Sequence, residues 1–244
     1  MKGIYNFQVQ PQDVDFQKNI TFMSLGNILL DTAGMNAEAN GFGLKKLQSM
    51  NSSWVLSRIA IEINTVLTED EHFYVQTWVE DVGRLATTRN FNILNDKNEI
   101  IGGACSNWVM FDMVTRRPID LLSIEGLKEV AEQDSGTIEK PIRLSAIGGE
   151  SVAEFTVKYS DIDINGHVNS ISYVQWLCDL FSLDMYKSKR IKRLEMNYIN
   201  ETFWGEGIQI YYEEKQCDDF HFEIRKSDKP ICKARILWET ITKK

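Results

Sequence analysis

Apolar and polar residues alternate over nine stretches of the chain and recur at helical spacing over two others. Eight of the alternating runs are Trp54 to Asn64, Phe73 to Glu80, Thr87 to Asn95, Ile100 to Asp112, Ile191 to Asn200, Gly207 to Lys215, Phe220 to Lys226 and Pro230 to Thr240. A period of two marks a strand with one covered face, and Met1 to Gln10 alternates in the same way. Leu25, Ile28, Leu29 and Thr32 share one face of a helix predicted from about Thr21 to Asn40. Tyr173, Trp176, Leu177 and Leu180 do the same for a helix from about Asn169 to Lys187. Both faces are wide enough to be buried against a sheet.

The pattern occurs twice. Phe7, Val9, Asp13 and Asp15 are matched by Phe155, Val157, Asp161 and Asp163 at a constant offset of 148, and the match runs ungapped to Ile20 and Val168. Farther along, Ile101, Ala104 and Trp108 match Ile231, Ala234 and Trp238 at an offset of 130. Each copy is a short strand, a turn rich in Asp and Asn, a helix and several alternating strands, which is an α+β plan. A long helix wrapped by a curved antiparallel sheet is the hotdog arrangement. Hotdogs work as pairs because each leaves a sheet edge and a helix face unfinished. The expected architecture is therefore a tandem (double) hotdog, two long helices each wrapped by an antiparallel β-sheet. Turn formers and charges from Ser123 to Ser151 mark the connection, which places the halves at 1–145 and 146–244.

Composition narrows the function. With 244 residues, 43% hydrophobic and 25% charged, the chain has apolar material for one large domain or two packed smaller ones. No apolar run reaches the roughly 18 residues that span a bilayer, and the first ten lack a signal-peptide core. The expectation is a cytoplasmic protein without membrane insertion. A formal charge of −8 disfavours nucleic acid, whose phosphates need concentrated Lys and Arg. Cys105, Cys178, Cys217 and Cys232 have no CxxC spacing, and His72, His167 and His221 are the histidines that could join them. Free thiols are expected, with neither metal nor cofactor.

The segment richest in chemistry runs from Tyr159 through Asp161, Asp163, Asn165, Gly166 and His167 to Asn169, followed by a helix with Tyr173 and Trp176. Here the chain resembles the plant and bacterial acyl-acyl carrier protein (ACP) thioesterases, whose second half carries a D-x-D-x-N-x-H-V-N run before a Y-x-x-W helix. The resemblance extends over nearly the whole chain, including Trp54 to Arg58, Gln76 to Val79, Ser106 to Met110 and Thr115 to Arg117. It implies a hydrolase acting on fatty acyl-ACP in fatty acid synthesis, with Asp163, Asn165, His167 and Glu201 as catalytic residues. Many plant members carry Cys after the glutamate, where this chain has Thr202. A cysteine nucleophile is therefore not expected. Cys178, far down the second helix, reads as core.

Thioester hydrolysis needs an activated water and a stabilised oxyanion. Gly166 permits a sharp turn before the helix, whose free backbone amides are expected to hold the thioester oxygen. Glu201 and Asp163 are both candidate bases, tuned by desolvation beside an apolar tunnel, and direct carboxylate attack stays open. In the first copy Gln17 and Asn19 stand where the second has Asn165 and His167, while Asp15 is kept. One site per chain follows, with the first half holding the acyl chain and Met23, Met35, Met50, Trp54 and Trp108 as candidate tunnel walls. Lys187, Lys189, Arg190, Lys192 and Arg193 form a basic cluster in an acidic chain. It reads equally as a solvated helix end favoured by the dipole or as a docking site for an acidic carrier protein. Acyl-CoA hydrolysis and silent acyl binding are the rival functions. A homodimer is compatible with the sequence but not required, since the internal pair already supplies the hotdog's partner.

Overall fold

The alternating runs pair as strands, and the pairing itself repeats. A computed structural model describes residues 1–241. The first half runs β1 (Gly3–Gln8), α1 (Phe22–Ala39), α2 (Leu44–Ser49), β2 (Ser52–Ile63), β3 (His72–Val82), β4 (Thr87–Asn95), β5 (Ile100–Asp112) and the short β6 (Arg117–Pro118). The second runs β7 (Ser151–Thr156), α3 (Ser170–Cys178), α4 (Leu183–Ser188), β8 (Lys189–Tyr198), β9 (Gly207–Gln216), β10 (Asp219–Lys226) and β11 (Lys229–Thr240). Strand order is β1-β3-β4-β5-β2 in one half and β7-β9-β10-β11-β8 in the other, antiparallel throughout. Every strand of the first half but the short β6, which pairs with β5, thus has a counterpart in the second. The chain divides into two compact units, Met1–Pro141 and Ile142–Lys244, each a helix against an antiparallel sheet, the hotdog plan.

The helix α1 begins where Thr21 Oγ1 accepts from the Ser24 amide at 3.1 Å, a side-chain cap that satisfies a donor the helix start leaves open. Leu25, Leu29, Thr32, Ala33 and Asn36 form its buried face. Leu25 and Leu29 are fully enclosed, so truncating either to Ala costs roughly 2–5 kcal/mol. Met35, expected as a tunnel wall, faces solvent instead. It directly precedes the buried Asn36 and so lies about 100° round the helix from it, at the edge of the buried face.

The second helix departs from expectation. A single element over Asn169 to Lys187 was predicted, but α3 ends at Cys178 and α4 starts afresh at Leu183, with Ser182 Oγ accepting from the Met185 amide at 3.2 Å. Between them Phe181 turns inward onto Phe220, Phe222 and Trp238, with ring centroids 4.8–6.0 Å apart. A straight helix would carry Phe181 past that aromatic cluster. Burying the ring and recapping at Ser182 favour the break.

The connection is fixed rather than loose. Trp78 Nε1 donates to Asp134 O at 2.7 Å and Thr137 Oγ1 to Asn92 Oδ1 at 3.0 Å, which ties its first part to β3 and β4. The amides of Ile142, Leu144 and Ile147 donate to Glu195, Asn197 and Glu223 on β8 and β10. Those buried acids and amides interrupt the apolar pattern of their strands because the connecting backbone needs acceptors. Among the described residues no helix is long and apolar enough to cross a membrane.

Candidate active site

The Asp-rich turn before α3 is a loop folded on one carboxylate. Asp163 Oδ1 accepts from the amides of Asn165 at 2.8 Å and His167 at 3.2 Å, while its own amide donates to His167 O at 2.8 Å. Gly166 closes the turn with φ +80°, a left-handed conformation that side chains resist. The Val168 amide then donates to Thr202 O at 2.8 Å, which draws the segment after β8 alongside. This crossing brings Glu201 to the histidine, its Oε1 lying 3.6 Å from His167 Nδ1. Phe203 packs edge-on against the imidazole at 5.0 Å. Asn165 Nδ2 reaches Asp163 Oδ2 at 3.4 Å.

The first copy reproduces the bonds that the backbone amides make in this loop. Asp15 Oδ1 accepts from the amides of Gln17 and Asn19, the Asp15 amide donates to Asn19 O, and Lys18 takes the left-handed position of Gly166 with φ +65°. The Ile20 amide donates to Leu67 O, so Leu67 corresponds to Thr202 and Val66 to Glu201. The first copy therefore keeps the aspartate and its backbone bonds but has neither His nor Glu. Asp163 is a loop former, whereas His167 and Glu201 are peculiar to the second unit. The four predicted residues do meet in one place, with unequal tasks.

Two expectations need correction. The amides of Asn165, Gly166, His167, Val168, Asn169 and Ile171 already donate within the chain. Among the described residues only the Ser170 amide of this stretch has no acceptor, so the helix start offers one free donor rather than several. The carboxylates also lie outside an apolar tunnel. Glu201 is 38% exposed at its side chain, and Asp163 lines an open recess with Tyr159, Ile164 and Trp204. These three side chains are 89%, 94% and 70% exposed, and sequence reasoning passed over them because apolar residues in a turn carry no periodic signal.

The position after Glu201 carries a hydroxyl, not a thiol. Thr202 is buried, and desolvation pushes the Cys178 thiol up to about 12, leaving it protonated and inert. Cys105 and Cys232 are buried and Cys217 is exposed, all unlinked. Away from the loop, Glu214, Cys217 and Asp218 bring three potential metal-ligand atoms within 4.8 Å of one another, in an exposed turn where Asp218 is paired with Lys189.

Of the basic cluster, Lys187 alone stands within a helix, in the last turn of α4. Lys189 to Arg193 lie in β8, with Lys189 paired to Asp218 and Arg190 Nε donating to Glu239 at 2.6 Å. Arg193 is buried against Glu195 at 2.9 Å, while Lys192 is half-buried. Lys187 is exposed and paired with Asp184. Within β8, strand alternation buries Ile191 and Arg193 and leaves Lys192 between them half-exposed.

In the first unit a cavity of about 140 Å³ lies between α1 and its sheet, walled by Leu30, Ala33, Trp54, Trp108, Leu127 and Val130 among others. Trp54 and Trp108 were predicted as tunnel walls and line it. Met23 and Met50 do not. Arg89 also lines it, in phase with the buried Phe91 and Ile93 on β4, an alternation that could have flagged it.

The sequence matches the acyl-ACP thioesterase N-terminal domain over residues 4–124 and the acyl-ACP thioesterase C-terminal domain over residues 144–240. Its structure is similar to that of an acyl-ACP thioesterase from Bacteroides thetaiotaomicron, with 40% identity, 98% of each chain covered and a TM-score of 0.90. A 12:0-ACP thioesterase from Umbellularia californica shares the fold at 17% identity, with 98% of each chain covered and a TM-score of 0.87. The oleoyl-acyl carrier protein thioesterase of Coriandrum sativum is 24% identical over 215 residues, covering 80% of this chain and 58% of that one. The chain spans only about half the length of such curated relatives.

Proposed function

The chain belongs to the acyl-ACP thioesterase family, and on that premise we propose that it hydrolyses fatty acyl-ACP thioesters, releasing the free acid and ending elongation. The observation that carries the reading is the His167–Glu201 pair, 3.6 Å apart where the Asp163 loop meets the segment after β8, a junction whose counterpart in the first copy has neither residue. Glu201 takes a proton from water as its oxygen adds to the thioester carbon. Catalytic contacts of this kind are often long in an empty site and tighten around substrate. His167 holds the glutamate and the water in register. The oxyanion is met by the Ser170 amide and the amide group of Asn165, donors already fixed in place. As the intermediate collapses the carbon–sulfur bond breaks, and the departing thiolate recovers the proton through Glu201 and His167.

The cavity of the first unit supports that half as the holder of the acyl chain, since an apolar space with few polar groups is what such a chain requires. The exposed ring of Tyr159, Ile164 and Trp204 around Asp163 gives the incoming thioester an apolar rim. The test is release of free acid from ACP thioesters of graded chain length, beside the CoA thioester of the best chain. Turnover of the ACP form at much higher kcat/KM supports the reading. Preference for CoA would replace the carrier with CoA, and no release from either would end it.

A further inference from the structure

Arg89 on β4 presents a charge to an apolar cavity with no acid to neutralise it. It is 6% exposed, and among the described residues no carboxylate pairs with it. Its Nη1 donates to Asn36 Oδ1 at 2.7 Å and Thr77 Oγ1 at 3.2 Å. Those two acceptors are themselves buried, at 2% and 0%, so the guanidinium is held in place by a built polar cluster. Asn36 is fixed in turn by Asn40, whose Nδ2 donates to its carbonyl at 2.9 Å. A guanidinium carries five N–H donors. Nε and Nη2 have no acceptor among the described residues, and neither is among the buried polar atoms cut off from accessible space. The side chain lines the cavity together with Thr87 and Asn40. Burial lowers its pKa to about 10, which leaves it charged at neutral pH.

A buried cation with unused donors is a poor neighbour for methylene groups and a good one for oxygen. We propose that Arg89 makes this cavity selective for acyl chains bearing an acceptor oxygen, a hydroxyl or oxo group, at the depth of the guanidinium. Unsubstituted chains long enough to reach Arg89 are disfavoured, because they cover its N–H groups without pairing them. This rests on the reading that the first unit holds the acyl chain of a thioester substrate, and it adds the chemistry of that chain.

The experiment uses the full chain and two series of ACP thioesters: unsubstituted chains of graded length, and one chain length with a hydroxyl stepped along it. The wild type is expected to favour one hydroxyl position by about tenfold or more over its neighbours and over the plain chain, the range of a hydrogen bond to a charged group. Arg89→Met, of similar reach without donors, is expected to erase that preference and to raise kcat/KM for the longer plain chains. Arg89→Lys should restore part of it. A flat wild-type hydroxyl series overturns the proposal whether or not the variants fold. So does a preference that survives in a folded Arg89→Met. Failure of the wild type on every thioester of both series instead removes the thioesterase reading beneath it.

Discussion

At the scale of residues, two carboxylates that look alike in sequence have separate tasks. Asp163 accepts from two amides and shapes the loop, as Asp15 does in the copy with neither histidine nor glutamate. Replacing either aspartate with alanine should therefore cost similar stability, roughly 1–3 kcal/mol for two amides left without a charged acceptor. Denaturant unfolding of the two variants measures this, and only Asp163→Ala should also lower turnover, by displacing His167. Glu201→Gln should keep the unfolding midpoint and lose roughly a hundred- to ten-thousand-fold in kcat. A folded Glu201→Gln with wild-type kcat would return the base to Asp163. The residue types of this site were legible because Asp, Asn, Gly and His cluster within one turn. Their ranking was not, since it depends on which oxygens are spent on backbone amides. The alternation of β4 turns Arg89 inward, but one cation in an alternating run says nothing about whether an acid faces it.

Among elements, the repeat was the most legible feature, because a strand order copied once leaves matching offsets in the sequence. The bounds of β4 and β5 follow the alternation to the residue. The break between α3 and α4 was not legible, since Leu180 continues the helical face and the reason for the turn lies on β10 and β11, where Phe181 finds its aromatic partners. Past that break Lys187 stands in the last turn of α4, while Lys189 to Arg193 lie in β8. Any carrier docking there must use Lys187, Lys189, Arg190 and Lys192, because Arg193 is buried. Reversing Lys189 and Arg190 together to Glu should raise KM for acyl-ACP about five- to tenfold at low salt while leaving a small soluble thioester unaffected, with the difference shrinking as salt screens the charges. Steady-state kinetics on both substrates distinguish this from lost ion pairs with Asp218 and Glu239, which would harm both alike.

At the scale of the whole molecule, the two units bury titratable groups of opposite sense. In the second, burial raises Cys178 from its ordinary 9.0 to about 12 and lifts Tyr173, Tyr198 and Cys232 in the same direction. A group whose folded pKa is raised holds its proton more tightly when folded. The stability it contributes is complete below its unfolded pKa and drains away as pH climbs toward the folded value. For Cys178 that window opens near pH 9 and closes near pH 12. In the first unit Arg89 has its pKa lowered from 12.5 to about 10, so folding works against its protonated form and this penalty begins to lift only above about pH 10. Alkali should thus weaken the second unit from about pH 9, whereas the first loses support only above pH 10.5, where Lys18 and Lys140, raised by their bonds to Glu69 and Glu80, begin to give up their protons while Arg89 is relieved. Thermal unfolding between pH 7 and 11, followed by tyrosinate absorbance for Tyr173 and Tyr198, is expected to show a falling midpoint from about pH 9, with catalysis lost before the first unit melts. A midpoint that stays level to pH 11, or a first unit that unfolds ahead of the second, would mean these buried hydroxyls and thiols reach water in the folded protein.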